Sequence, residues 1–398
     1  LKRRFLDLEL GDFSAQNIAE PLVLELIRGG YFANDKIEES KIQDTQRVIE
    51  KYIFILRNNP EYKKGRAGLQ FYAKMLEIAA CEIEETLSPS LKEMAMIDFM
   101  FSHMVDRIKV NERVFQENLL NREDSDVQIY IAVQKALFKL DNPIISYNIL
   151  RYKYPHWDNP SEQDLLKISQ NIYKILKGID MQLDHPLQKR FYIICERYDT
   201  PYLLLGDILS SDSTGKTIGE ISQPPLLEEH VRAAYIARLK DLKIKIKRAA
   251  IYSVSSIFIT KVLSLILLEI ILAKILAEKF DVLILAANIL IPTLLMAFLV
   301  ATVRLPSKKN IHLAIMETIK IVYQKEKQDT YELKISKRKG VITRLILSLI
   351  YLAGATISFG LIYWLFIYFG FPIVSTIINI IFIALILFAG KAIQRRAR

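Results

Sequence analysis

The sequence predicts an all-α protein built in two parts: an N-terminal soluble helical bundle or array, followed by a four-helix transmembrane domain. Three observations predict this fold class. The 398 residues are 51% hydrophobic and 25% charged, which excludes a disordered or low-complexity chain. The apolar residues concentrate after position 249. The part before it shows helical periodicity and lacks the alternating pattern of a β protein.

The charge is divided at nearly the same place. The chain holds 54 Lys+Arg and 44 Asp+Glu, a net charge of +10. Residues 246–398 hold 20 Lys+Arg and 7 Asp+Glu, which leaves 34 Lys+Arg and 37 Asp+Glu for 1–245. The excess positive charge therefore belongs to the membrane part. We expect no nucleic-acid partner, because the basic composition does not come from the soluble part.

The compartment is predicted from the cysteines and the N-terminus. Cys81 and Cys195 are too few and too far apart for a disulfide framework or a metal site, so a reducing cytosol suits the N-terminal part. The N-terminus is basic at 2–4 but no apolar run follows, which excludes a secretory signal. Because the sequence opens on Leu1 instead of Met, we expect it to begin inside a longer chain.

Residues 1–210 are predicted to form a cytosolic all-α domain of two lobes, 1–120 and 121–210. Asp, Asn or Ser stands one or two residues before Pro in the segments 58–60, 88–90, 141–143, 158–160 and 184–186, and Gly29-Gly30 adds a further break. A cap oxygen before a fixed φ favours the start of a helix. The predicted helices cover 18–27, 42–56, 69–86, 91–119, 127–140, 165–177 and 185–197.

A linker and a connecting helix are predicted to join the two parts. Residues 211–225 form the linker, and 226–248 form an amphipathic helix that leads into the first span. An alternative is a two-stranded collar, because apolar residues alternate with Lys at 242–247 and alternate again at 331–335. A helical apolar face at 311–322 is expected on the membrane surface or against the N-terminal domain.

Four spans are predicted in the membrane domain of 249–398, which includes a basic loop at 304–340. A bilayer core about 30 Å thick needs about 20 apolar residues. The last two spans come from one uncharged stretch that Gly370-Phe371-Pro372 breaks with a turn. The predicted spans are 249–272, 282–303, 345–369 and 372–390. A rival interpretation makes the first run an interfacial helix, because it carries charges.

The basic residues predict the orientation. Lys and Arg cluster at 238–248, 304–339 and 391–398, and Lys and Arg are retained on the cytoplasmic side. All three clusters share one side only if both termini are cytoplasmic, in the inner membrane. Anionic lipid headgroups are the expected partners of these clusters. The residues assigned to headgroup contact are Lys243, Lys245, Lys247, Arg248, Lys337, Arg338, Lys339, Arg395 and Arg396.

Motifs for chemistry are weak. Gly215-Lys216-Thr217 resembles part of a phosphate loop, but Ser210 stands where the loop needs Gly. The histidines lack metal spacing, and acidic groups such as Glu82, Glu84 and Glu85 are interpreted as helix surface. No catalytic order is present, so we expect no cofactor, no metal and no enzymatic activity.

Polar residues inside the first span are the candidate functional residues. Ser253, Ser256, Thr260 and Ser264 follow helical spacing and draw one polar stripe. The stripe has two interpretations, helix packing through small hydroxyl residues or the lining of an aqueous path. In the third span, Gly354 and Ser358 form a small-residue face that indicates a helix contact.

Lys261 and Glu269 are charged residues within the same span. They lie about 80° apart around an ideal helix at 100° per residue, so they are not expected to pair with each other. Lys261 then needs a partner elsewhere, water or a route to the interface, because an unpaired charge in hydrocarbon costs at least about 2.5 kcal/mol. Asn288 and Asn379, in the second and fourth spans, are the candidates to meet it.

The leading functional hypothesis is an oligomeric channel or transport-type subunit. The hydroxyl stripe and Lys261 would face a polar path between subunits, and the N-terminal domain would gate it through the 226–248 helix. A ring of Lys261 ammonium groups would favour anions. The alternative is a membrane-anchored scaffold whose N-terminal domain binds protein partners; an enzyme or assembly factor without a readable site is the remaining hypothesis.

Overall fold

The computed structural model describes residues 14–32, 37–60, 66–211, 216–275, 282–303, 309–323, 330–333 and 340–396. These residues are almost entirely helical, which confirms the all-α fold class. Their contacts divide the chain into two units. The N-terminal unit is Leu1–Ser211 with Lys320–Ile335, and the membrane unit is Asp212–Ile319 with Ser336–Arg398. Both predicted lobes lie in the N-terminal unit.

The N-terminal unit is a packed array of helices. Most of the predicted helices recur with different bounds, and the helices at 142–153 and 199–211 were not among those predicted. Asp141 caps the first of these two: its carboxylate accepts the backbone N–H of Ile144 at 3.2 Å, with Pro143 in the first turn of the helix that follows. The helices are α1 (Gln16–Arg28), α2 (Glu39–Arg57), α3 (Arg66–Leu87), α4 (Leu91–Arg107), α5 (Glu112–Gln116), α6 (Arg122–Leu137), α7 (Asn142–Lys153), α8 (Glu162–Leu183), α9 (Gln188–Arg197) and α10 (Asp199–Ser211).

A short parallel sheet corrects two predictions. The helix predicted over 91–119 ends at Arg107, and strand β1 (Ile108–Val110) follows it. Its partner is β2 (Tyr331–Leu333), with Ile108 opposite Tyr331. The predicted collar was therefore half wrong: 331–333 is a strand with a different partner, residues 242–247 are helical, and Ile335 lies outside the described residues.

Helix α6 lies at the centre of the N-terminal unit and is buried on nearly every side. Gln134, one of its buried polar side chains, is hydrogen-bonded inside the core. Gln134 accepts a 2.7 Å hydrogen bond from Asn148 and donates to the Tyr130 carbonyl at 3.2 Å. Buried amides need such partners, because an unsatisfied one costs about 1–3 kcal/mol.

The membrane unit contains four helices, among the described residues, that are long and apolar enough to cross a membrane. The predicted connecting helix and first span form one helix, α12 (Pro224–Ser264), which continues as a π-helix (Leu265–Glu269) and α13 (Ile270–Ile275). The predicted linker is partly helical, because α11 (Lys216–Ile221) lies within it. The remaining helices are α14 (Val282–Ala301), α15 (Lys309–Tyr323), α16 (Val341–Tyr368) and α17 (Ile373–Arg396).

Helices α12, α14 and α17 pack together through a small apolar cluster. Met296, Ile386 and Ile393 are buried there, with Val254 and Ile257 of α12 packed against them. Gly390 allows the close approach of α14, because a Cβ at this position would lie 3.1 Å from a methyl carbon of Leu299. These three helices form the compact part of the membrane unit.

Helix α16 packs against this compact part near its C-terminal end. Phe366 is its only buried side chain, and its ring meets that of Phe371 at 4.8 Å. The predicted turn follows, with Gly370 at φ +79°. The N–H groups of Gly370 and Phe371 bond the carbonyls of Ile367 and Phe366, which is the Schellman arrangement that favours Gly.

The small-residue face predicted on α16 makes no contact with another helix among the described residues. A Cβ at Gly354 would meet no atom within 4 Å. The Ser358 hydroxyl donates to the Gly354 carbonyl of its own helix at 2.8 Å.

A candidate ion site in the membrane unit

Lys261 and Glu269 form a salt bridge, contrary to the prediction that they could not pair within one helix. Both side chains are buried, with 0% of Lys261 and 3% of Glu269 exposed. The pair is neutral as a whole, which reduces the cost of each charge in hydrocarbon. Lys261 is therefore not an exposed cation, and the anion preference predicted from it loses its basis.

The π-helix between the two residues explains the pairing. In an ideal α-helix they would lie about 80° apart. The Ile270 N–H bonds the Leu265 carbonyl, a spacing of five residues instead of four. An extra residue in one helical turn rotates the residues that follow it backwards around the helix axis by about 100°. Glu269 therefore comes onto the same face as Lys261. An angular projection from the sequence assumes a regular helix and therefore misses this contact.

Hydrogen bonds extend the pair to two further spans. Asn288 of α14 donates to the Glu269 carboxylate at 3.1 Å and to the Ser375 hydroxyl at 3.2 Å. Ser375 of α17 donates to the same carboxylate oxygen at 2.7 Å. Asn379 donates to the Asn288 amide oxygen at 2.5 Å. We call Lys261, Glu269, Asn288, Ser375 and Asn379 the polar cluster.

Each of the three spans is irregular near the polar cluster. The first contains the π-helix. The second contains Pro292, which has no N–H, so the backbone carbonyl of Asn288 lacks its usual helical donor. The fourth starts just after the Gly370 turn, two residues before Ser375. Irregular backbone at membrane depth is tolerated only where it is buried in protein or lines a cavity.

Aromatic and hydroxyl groups complete the surroundings. The Lys261 ammonium lies 5.1 Å from the centre of the Phe382 ring, which is a cation–π contact. Thr376 is fully buried, and its hydroxyl has no hydrogen-bond partner among the described residues. The Asn379 amide oxygen and the Ser264 hydroxyl also have no hydrogen-bond partner in the described part of the chain.

The structure brings together only some of the residues selected from the sequence. Asn288 and Asn379, predicted to meet Lys261, are linked to it through Glu269: Asn288 donates to Glu269, and Asn379 donates to Asn288. The hydroxyl stripe does not share this buried face: Ser256 and Thr260 are exposed, and Ser253 and Ser264 are half-buried. Sequence reasoning missed Ser375, Thr376 and Phe382, although the two hydroxyl residues lie within one turn of Asn379.

Four of the residues predicted to contact headgroups have described, exposed side chains. Lys243, Lys245, Lys247 and Arg248 are exposed on α12, just before its apolar part. Arg395 and Arg396 lie at the end of α17, and their side chains are outside the description. Residues 337–339 also lie outside the described residues.

A second buried ion pair lies in the N-terminal unit and was not predicted. Glu82, interpreted above as helix surface, is buried and pairs with Lys51. Its other oxygen accepts Tyr52 at 2.8 Å and the Trp157 indole N–H at 2.9 Å, and Lys51 also donates to the Trp157 carbonyl at 2.8 Å. Burial lowers the pKa of Lys51, and Glu82 opposes this.

This second cluster borders an open cavity of about 710 Å³. The charged side chains around it are largely committed to each other, since Arg47 pairs with Asp44 and Arg151 with Asp158. The Lys51–Glu82 cluster therefore joins α2, α3 and the 154–160 segment, and we interpret it as structural. Among the described residues, no group of three His, Cys, Asp or Glu could hold a metal ion.

The fold and the polar cluster define the class: a chain with four membrane-capable helices, an N-terminal helical unit and a buried ion pair in the membrane unit. Comparisons with protein-family models, with curated proteins and with solved structures find no match to this chain. The class therefore rests on the fold and the site alone.

Proposed function

We propose that the protein is an oligomeric transport-type subunit of the inner membrane that moves ions through its membrane unit. The observation that carries this proposal is the polar cluster. Apolar residues of similar volume are often at least as stable in a buried position as an ion pair, so stability alone does not account for a buried Lys–Glu pair. Charged residues within spans are costly, and they mark ion pathways and proton relays.

The irregular helices support the same proposal. Transporters bind substrates and ions where broken helices expose backbone oxygens near the middle of the membrane. Here the π-helix and Pro292 lie beside the cluster. Helix α12 offers a route for gating, because it continues without a break through 41 residues from Pro224 to Ser264. A movement of its amphipathic part would reach Lys261 directly.

The experiment is an ion-flux measurement on the purified full chain in proteoliposomes. We expect flux down a salt gradient above that of protein-free vesicles, and we expect Glu269→Gln to abolish it. The matched control is Ser358→Ala, which removes an exposed hydroxyl bonded only to its own helix and should leave flux unchanged. Absence of flux from the folded wild-type protein would refute the proposal.

The proposed orientation has a separate test. With both native cysteines replaced by Ala, Phe369→Cys should react with an impermeant thiol reagent added outside cells. Gln394→Cys should react only after the membrane is opened. Both positions are exposed, at opposite ends of α17 and its preceding turn. The reverse pattern of labelling would refute the cytoplasmic termini.

The second candidate is a membrane-anchored interaction scaffold. It is favoured by one observation, that the ion pair closes within a single chain and so also suits a purely structural role. A scaffold predicts no flux, and it predicts that Lys261→Met/Glu269→Gln keeps the fold and the subunit number in detergent.

A further inference from the structure

We propose that the polar cluster is an exchange site for one alkali-metal cation, with the Lys261 ammonium as its built-in competitor. This inference rests on the proposed transport function and names its substrate class. It also replaces the anion preference that the sequence had suggested, because Glu269 now supplies the formal negative charge of the cluster.

The direction of the hydrogen bonds leaves an oxygen without a donor. The Asn288 amide nitrogen donates to both Glu269 and Ser375, so its oxygen must be an acceptor. Asn379 must then present its nitrogen to Asn288, which leaves the Asn379 oxygen buried. That oxygen and the Thr376 hydroxyl have no partner among the described residues. Buried polar atoms without a partner indicate a missing ligand or water.

The ammonium is also poorly coordinated. A lysine ammonium has three N–H donors. Among the described residues, Lys261 has one hydrogen-bond acceptor, the Glu269 carboxylate, and the face of the Phe382 ring. A cation that binds the same carboxylate can take hydroxyl and amide oxygens of α17 as further ligands, which the ammonium does not use.

The chemistry of these ligands selects the cation. Carboxylate, hydroxyl and amide oxygens are hard ligands that suit alkali and alkaline-earth ions. The site has one negative charge, so a monovalent ion leaves it neutral, whereas a divalent ion would leave a charge in hydrocarbon. Na⁺ and Li⁺ are therefore the expected ligands.

The requirement that the site stay neutral also determines what Na⁺ is exchanged for. When Na⁺ binds Glu269, one N–H bond of Lys261 breaks, the electron pair stays on nitrogen and the proton leaves to water. The site changes from Glu⁻ with Lys⁺ to Glu⁻ with Na⁺ and neutral Lys, and its net charge stays zero. Each bound cation therefore releases a proton.

The binding experiment uses the full chain in detergent and weak buffer, with NaCl titrated against choline chloride. We expect saturable ²²Na⁺ binding with release of about one proton per ion. Below saturation, the apparent affinity for Na⁺ should rise about tenfold for each unit of pH. Saturable Na⁺ binding without proton release, or no saturable binding, would overturn the inference.

Variants distinguish the loss of a cation ligand from the loss of the folded structure. Glu269→Gln should lose Na⁺ binding, and Thr376→Val should weaken it about tenfold. Thr293→Val is the matched control, because its hydroxyl is bonded to the Ile289 carbonyl of the same helix. Lys261→Met should bind Na⁺ without releasing protons. If this variant does not fold, the comparison of Thr376→Val with Thr293→Val still tests whether the cation site exists. Equal binding by these two valine variants would overturn the site.

The two proposals fail differently. Coupled Na⁺ binding and proton release without flux in vesicles would refute transport and support the exchange site. Flux that proceeds equally in sodium and choline salts, without Na⁺ binding, would refute the exchange site and leave transport supported.

Discussion

Glu82→Gln is the substitution that tests the buried network of the N-terminal unit most directly. The carboxylate has three donors: Lys51 on one oxygen, and Tyr52 and Trp157 on the other. A glutamine keeps one oxygen for Tyr52 and Trp157, but its NH₂ then faces the Lys51 ammonium. Two donors oppose each other, and a buried charge loses its counter-ion.

The magnitude follows from this loss. Removing one partner of a buried ion pair costs about 3–5 kcal/mol. For a unit of this size each kcal/mol lowers the melting temperature by about 2–4 °C, so we expect a fall of about 6–20 °C. The double variant Lys51→Met/Glu82→Gln carries no charge at either position. It should be about 2 kcal/mol more stable than the sum of the single variants predicts.

The assay uses Trp157 as its own reporter. The chain has two tryptophans, Trp157 and Trp364. In a Trp364→Phe background, the thermal melt of the full chain in detergent can be followed by fluorescence of Trp157, whose side chain is 1% exposed. The emission should shift to the red as the network opens to water.

Glu196→Gln is the matched control. Glu196 also contacts a lysine and a tyrosine, Lys139 and Tyr192, but this pair is about half exposed. An exposed ion pair contributes at most about 1 kcal/mol. A melting temperature that falls equally little in Glu82→Gln and Glu196→Gln would refute the argument from burial.

Three further predictions concern other parts of the chain. Burial, with the Arg107 charge, lowers the pKa of His103 below its ordinary 6.5. The unfolded state then binds more protons just below that value, so stability decreases as the pH is lowered through this range, and His103→Phe should flatten the dependence in melts between about pH 7 and 5. Gly370→Ala should cost about 1–2 kcal/mol because φ is +79°, whereas Gly354→Ala should not destabilise the membrane unit in detergent melts. In native mass spectra, the Lys243→Gln/Lys247→Gln variant should retain fewer anionic lipids than the wild type, because each lysine removed costs about 1 kcal/mol of attraction to anionic lipid, while its retention of neutral lipids should not change. Equal retention of anionic lipids by variant and wild type would count against headgroup binding.

Local patterns in the sequence determined much of this protein. The four spans follow from runs of apolar residues long enough for a bilayer, and this requirement is met within each segment alone. Most N-terminal helices follow from periodicity and caps such as Asp141. The turn at Gly370 follows from residue types that few other conformations accept.

Contacts between distant segments, and those that depend on a departure from the regular helix, were decided only by the three-dimensional structure. The Lys261–Glu269 pair depends on a π-helix, which a projection at 100° per residue cannot contain. Glu82 looked like helix surface because its partners, Lys51 and Trp157, lie in other segments. The β1–β2 pairing joins strands from opposite parts of the chain. Periodicity identifies the faces of an element, but the neighbour that each face meets is set by packing.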